Sequence, residues 1–266
     1  MSPLPASRET FCLYITYLSR SCKYSTISCY VSTVHVMHDY FGAEHPSPSD
    51  FVLRSTLRGA RRLVGDQTRQ VDPLGPGELM KILSILDLRK FEDLRFWCAL
   101  LLSFRCVLRA GHVSFSPHAL RVKHVAFKSI SMDVCVISSK TVQFRERVHV
   151  VPVIESPISA LCPVRYLKRY ISWSGLGPDD YLFPVSYWSY LAQIKASAQR
   201  AGLSGEFGTH SLRRGAASFL ARFLPLHDVK AYGDWRSLSV LLYLSDSYSA
   251  RCSKDFEVSR RLAHYS

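Results

Sequence analysis

Acidic residues are scarce in this chain. Only 21 Asp and Glu stand against 34 Lys and Arg, a formal charge of +13 over 266 residues. A deficit of that size points to a polyanionic partner, with nucleic acid ahead of an anionic membrane surface. Long apolar runs are missing too. The longest, around Phe96 to Val107, is interrupted by Ser103 and Arg105 and is too short to span a bilayer. Met1 to Ser7 lacks the basic end and apolar run of a secretory signal. The eight cysteines form no CxxC pair and no Cys/His cluster at zinc spacing. Most lie in apolar segments, where a reduced thiol packs as a small hydrophobe. These absences describe an intracellular, reduced protein without a metal. Internal repeats and low-complexity stretches are also lacking, and a 47% hydrophobic, 21% charged composition excludes a disordered chain.

What is present begins with helices. Ser7 to Leu18 carries Phe11, Tyr14, Ile15 and Leu18 at helical spacing, and a second helix from Ser25-Thr26 ends at Gly42. Turn residues from His45 to Asp50 lead into a third, Phe51 to Val64. On it Arg54, Arg58, Arg61 and Arg62 share one face with no acid among them, the pattern of a phosphate contact surface. Gly65 to Gly77 is polar, rich in Gly and Pro, and reads as a linker. Beyond it come two strongly apolar helices, 78–88 and 91–108. Three Val- and Ile-rich runs follow (122–127, 132–138, 148–153), suggesting a small antiparallel sheet. Further helices are expected over 163–170, 186–201, 210–223, 226–231 and 237–244. The fold class is mainly α with a small antiparallel β-sheet: a helical domain over 1–70 and a larger α+β domain over 71–266.

The most informative segment is Gly208 to Ser245. His210 and Arg213, three apart, project from one face near a helix N-terminus, where free backbone N–H groups and partial positive charge can seat a phosphate. Ala216 and Ala217 allow close packing in the next turn. A G-x-W turn follows, and Trp235 precedes Tyr243 by eight residues. None of these residues is diagnostic alone. His-x-x-Arg pairs arise by chance, a lone Trp is usually core, and Tyr243 is one of 14 tyrosines. Tyr248, five residues on, is its rival, whereas His227 and His112 read as structural or surface groups.

In order and context the segment resembles the C-terminal signature of the tyrosine recombinases, the phage-integrase family. The resemblance extends upstream: Cys106-Val-Leu-Arg-Ala-Gly-His112 supplies Arg109 in an L-R motif after an apolar helix, and Ile137-Ser-Ser-Lys140-Thr141 supplies Lys140 between the second and third strands. It covers roughly 72–247, and the preceding helices resemble the family's core-binding domain in architecture. The wording of the motifs (SKT-x-Q, HSLRRGAAS, the eight-residue step to Tyr243) is similar to that of eukaryotic mobile elements, the Cryptons and the retrotransposons encoding a tyrosine recombinase.

The resemblance implies breakage and rejoining of duplex DNA through a 3′-phosphotyrosyl intermediate on Tyr243, with no metal, cofactor or ATP. Two arginines, Arg109 and Arg213, can hold the non-bridging oxygens in bidentate fashion and stabilise the pentacovalent state. His210 can hydrogen-bond the phosphate and handle the tyrosine proton. The indole N–H of Trp235 can donate to an oxygen but cannot act as acid or base, and Lys140 is placed to protonate the leaving 5′ oxygen. A homotetramer on paired sites, acting in a nucleus, is the family-based expectation. The sequence departs from the pattern at His112, three positions after Arg109, where the family often has an acid that braces the arginine; His112 offers no carboxylate. Two other readings therefore stand beside a recombinase. One is a mobile-element-derived DNA-binding protein without catalysis, and the other is a type IB topoisomerase, against which the compact hairpin and HSLRRGAAS argue.

Overall fold

The computed structural model describes residues 5–66, 70–138, 148–156 and 158–244. Lys140 and Tyr248 lie outside the described residues. The chain separates into two compact units, Met1–Gln70 and Val71–Ser266.

The first unit holds α1 (Arg8–Leu18), α2 (Tyr24–Phe41) and α3 (Phe51–Val64). Side-chain oxygens start two of them: Ser7 accepts from the Thr10 N–H and Asp50 accepts from the Leu53 N–H at 3.0 Å. Each such cap stabilises a helix end by about 1 kcal/mol. Gly42, at φ 61°, closes α2 in the left-handed conformation that glycine adopts without a Cβ clash. Phe11, Ile15, Ile27, Val31 and Leu53 turn inward to form this unit's core. On α3 the side chains of Arg54, Arg58 and Arg62 are exposed. Arg61 differs, because its Nε donates to Asp66 at 2.9 Å and its guanidinium lies over the Tyr24 ring. The acid missing from the arginine face is supplied just past the helix.

The second unit contains α4 (Pro76–Ser84), α5 (Phe91–Arg105), α6 (Ala110–Val113), β1 (Val125–Phe127), β2 (Ser131–Val136), β3 (His149–Ile154), α7 (Pro163–Ser174), α8 (Tyr187–Arg200), α9 (Thr209–Leu220) and α10 (Leu226–Tyr232). The architecture is mainly helical with one three-stranded antiparallel sheet, ordered β1-β2-β3. In the register Met132 faces Val153 and Val134 faces Val151. All four are buried, so one face of the sheet seals the core while the other meets solvent. Helix α5 is the centre of that core. Leu94, Phe96 to Leu102 and Phe104 are all buried, and a helix covered on every side requires the continuous apolar run seen in its sequence.

Several segments depart from the sequence reading: α4 and α5 stop at Ser84 and Arg105, short of the expected 88 and 108, and α6 was not expected. The linker ends early, because Pro76 occupies the first turn of α4, where its missing N–H costs nothing, and Glu78 accepts from the Gly75 N–H at 2.9 Å. The first strand is shorter, since 122–124 form a 3₁₀ turn. The expected helix over 237–244 is instead a 3₁₀ turn, Leu238–Leu242, with Tyr243 at its end. So short a run cannot recover the cost of nucleating an α-helix. The Ser237 hydroxyl accepts from the Ser239 N–H, and the Ser218 hydroxyl donates to the Tyr243 carbonyl at 3.0 Å, which pins both ends. Among the described residues no helix is long and apolar enough to cross a membrane.

Helix α9 is held against the segment before α4. The Leu74 N–H donates to the Ser211 carbonyl at 2.9 Å, and Gly215 comes so close that an added Cβ would stand 1.9 Å from the Leu74 carbonyl oxygen. Backbone cannot give way as a side-chain tip can. Gly215→Ala is expected to lower the melting temperature by about 3–10 °C in a circular-dichroism melt. Helix propensity alone would raise stability by about 1 kcal/mol, so a higher melting point would show that the close approach is wrong.

Candidate active site

The site is built around one buried cation. Arg213, on the second turn of α9, is 2% exposed. A buried guanidinium must find acceptors or carry a penalty of several kcal/mol. Here two backbone carbonyls supply them: Nη1 donates to Val107 O and Nη2 donates to Gly233 O at 2.5 Å. Both carbonyls come from unusual backbone. Val107, just past the end of α5, sits at φ 51°, costly for a β-branched residue, and Asp234, following Gly233, is also at φ 51°. The two strained residues place a carbonyl on each side of the same guanidinium.

Aromatic rings complete the enclosure. The Arg213 guanidinium carbon lies 4.0 Å from the Trp235 ring centroid and 5.9 Å from that of Tyr243. The two rings themselves are 5.4 Å apart. Trp235 reaches this position because Gly233 has no side chain; a Cβ there would meet its ring at 1.8 Å. The backbone N–H of Trp235 donates to Lys230 O at 3.0 Å, which closes the turn after α10. Burial, then Arg109, pulls the Arg213 pKa down to about 10, while Tyr243 and Asp234 draw it back up. Arg213 therefore remains charged at neutral pH, and its buried Nε has no acceptor among the described residues.

Arg109 stands at the N-cap of α6 and lines one small cavity with His112, His149, Arg213 and Gly233. It lies close enough to depress the pKa of His210 as well. His210, on the first turn of α9, is exposed as a residue, yet partial burial, then Arg213 and Arg109, lower its pKa. It is neutral at pH 7 and so able to accept a proton. The structure thus brings together Arg109, His210, Arg213, Trp235 and Tyr243. Lys140 falls outside the described residues, and the four arginines of α3 belong to the other compact unit.

Several residues here gave no usable signal in the sequence. His149, at the start of β3, lies 3.2 Å from Tyr232 O and ties the sheet to the end of α10. Beside Trp235 opens a groove of about 800 Å³ whose lining includes His149, His227, Lys230 and Arg236. His112 was marked in the sequence only for the carboxylate it lacks. It is 4% exposed, and its Nδ1 accepts from the Arg109 N–H at 3.2 Å. The side chain that offers no carboxylate is nevertheless bound to Arg109, through the backbone. Gly233 and Trp235 were legible as a G-x-W turn, but Val107 was not, since nothing marks a valine for positive φ.

The buried imidazole makes stability depend on pH. Burial, then Arg109, lowers the His112 pKa to about 4, against an opposing pull from the Ser138 backbone, with Arg213 and His118 adding smaller decreases. Unfolded histidine binds its proton near a pKa of about 6.5, so between these values the unfolded state holds more protons. Stability is then full above about pH 6.5 and declines as pH falls toward 4. His210 acts with the same sign. Urea unfolding should show a loss of roughly 2 kcal/mol between about pH 7 and about pH 5, most of it removed by His112→Gln. A flat profile in the unaltered protein would contradict the burial of a neutral ring.

No family model matches the chain. In sequence it is 24% identical over 246 residues to an integrase/recombinase xerD homolog of Selenomonas ruminantium, covering 87% of this chain and 69% of the relative. In structure it resembles the XerH site-specific recombinase bound to palindromic difH substrate, with TM-score 0.63, 16% identity, and coverage of 90% of this chain and 69% of that one. A lambda integrase dimer bound to a COC′ core site gives TM-score 0.63 at 14% identity, covering 93% and 83%. The fold of this chain is therefore that of the tyrosine recombinases, and its sequence is related to an integrase/recombinase.

Proposed function

We propose that the chain is a tyrosine recombinase that breaks and rejoins duplex DNA through a 3′-phosphotyrosyl bond on Tyr243. The observation that carries this reading is the stacking of the buried Arg213 on Trp235 and Tyr243, with Arg109 and His210 beside it. A phosphodiester oxygen would give the Nε of Arg213 the acceptor that it lacks among the described residues. Arg109 and Arg213 then spread the charge of the pentacovalent state, where preorganised donors are worth most. Neutral His210 takes the tyrosine proton as Tyr243 attacks, Trp235 fixes the ring and the guanidinium, and Lys140 protonates the 5′ oxygen. The phosphotyrosyl bond conserves the energy of the phosphodiester, so the reverse attack needs neither ATP nor metal.

DNA contact has two parts in this reading. The groove with His149, His227, Lys230 and Arg236 takes the strand beside the scissile phosphate, and the exposed Arg54, Arg58 and Arg62 of α3 contact phosphates from the other unit. Arg61 contributes less, being already paired with Asp66. Assembly as a tetramer on paired sites and an origin in a eukaryotic mobile element, with action in a nucleus, rest on the family resemblance and the wording of the motifs. The second reading, a DNA-binding protein without turnover, rests on the carboxylate missing at His112, which meets Arg109 through the backbone N–H.

A nicked suicide duplex tests the chemistry. The unaltered protein should form a protease-sensitive covalent adduct on the 3′ phosphate, absent in Tyr243→Phe and reduced about 100-fold or more in Arg213→Ala. An adduct that persists in Tyr243→Phe ends the assignment, and tight binding with no adduct selects the non-catalytic reading. The α3 surface has its own test. The Arg54→Ala, Arg58→Ala double variant should weaken binding and lower the slope of log affinity against log salt by about 2. An unchanged slope removes α3 from the interface.

A further inference from the structure

The segment from α6 to the end of β2 contains a polar chain that the proposed chemistry does not use. His112 is buried, and its Nδ1 accepts the Arg109 N–H at 3.2 Å. An imidazole accepting at Nδ1 and neutral at pH 7 carries its proton on Nε2. The backbone of Ser138, two residues after β2, draws the His112 pKa upward, as an acceptor beside the ring would. Ser138 is also held by geometry, because its hydroxyl lies 2.7 Å from His118 Nδ1. His118 is itself fixed, its N–H donating to the Ser116 hydroxyl at 3.0 Å, while that hydroxyl donates to Gly111 O at 2.5 Å. The Leu120 N–H donates to His112 O at 2.9 Å and closes the loop. Two histidines thus join the N-terminus of α6, where Arg109 leaves the backbone, to the end of β2.

We infer that His112 is a positioning residue: it fixes the backbone of Arg109 from one edge of its ring and anchors it, from the other edge, to Ser138 at the end of β2. The inference rests on the proposed function only for what Arg109 does. It replaces the expected brace, a carboxylate on the guanidinium, by a backbone brace that needs an acceptor and a donor on one side chain. A carboxylate at this place could still accept from Arg109 N–H, but it would set a negative oxygen against the Ser138 carbonyl. An amide would serve both partners, since the oxygen and nitrogen of glutamine are separated much as the two ring nitrogens are.

Two measurements decide it. Long-range ¹H–¹⁵N spectra of the full chain, labelled at histidine, should show His112 as a single Nε2–H tautomer, assigned by its loss in His112→Gln. An Nδ1–H tautomer or an even mixture overturns the inference. On the nicked duplex, His112→Gln should cleave within about threefold of the unaltered protein, whereas His112→Glu should fall about 10- to 100-fold with DNA affinity unchanged. Cleavage by His112→Glu equal to or faster than that of His112→Gln would show that a carboxylate brace is what the site needs. His118→Phe, which cuts only the second hold on Ser138, should give a smaller loss with the tautomer intact. If the unaltered protein forms no adduct, the proposed function fails, and the tautomer spectrum alone decides the role of His112.

Discussion

The placement of Arg213 is the constraint on which the rest of the site depends. A cation buried this deeply normally demands a carboxylate, because stripping water from it costs several kcal/mol. This chain instead surrounds it with dipoles and a π face: two carbonyls, the Trp235 ring and the Tyr243 ring. Carbonyl dipoles and a desolvated cation–π contact of about 2 kcal/mol recover part of the cost. They leave the net charge in place, whereas a salt bridge would cancel it. With Arg109 adding a second positive charge nearby, the pocket keeps a positive potential that an anion can still answer.

That solution dictates local features that otherwise look unrelated. Val107 accepts a strained backbone so that its carbonyl reaches Nη1, and the Gly233–Asp234 turn does the same for Nη2. Gly233 must lack a side chain for the Trp235 ring to pack on that turn. His149 then bonds to the carbonyl of Tyr232, so the sheet is tied to the same turn that holds Arg213. Strain at Val107 and Asp234 persists because α5, α9, α10 and β3 together determine the arrangement. The stable core around α5 is what makes so unfavourable a burial possible.

How much of this could be read from the sequence follows from the range of each interaction. Helix ends written in local chemistry were legible: Asp50 before α3, Gly42 after α2, Pro163 at the start of α7. The order His210, Arg213, Trp235, Tyr243 was legible through its resemblance to a family signature, carried by a helix spacing and a short turn that are local in the chain. The partners of Arg213 were not, since Val107 is 106 residues away and contributes only a carbonyl, which every residue has. The last expected helix failed for a related reason. Its apolar pattern was adequate, but the tertiary bond from Ser218 to the Tyr243 carbonyl and the Ser237 hydroxyl favour a tighter turn.

His112 shows the same limit in sharper form. Judged by its side chain it is a loss, because imidazole cannot salt-bridge a guanidinium as a carboxylate can. Judged by its hydrogen-bonding capacity it is a bifunctional linker, able to accept at Nδ1 while donating at Nε2. Burial ensures that it works in this form, since the charged ring would carry donors on both edges and repel Arg109, Arg213 and His118. In a pocket already holding two guanidinium groups, an additional carboxylate would also cancel part of the charge that the site retains. A neutral brace on the backbone orients Arg109 without spending that potential, which is consistent with the way backbone carbonyls hold Arg213.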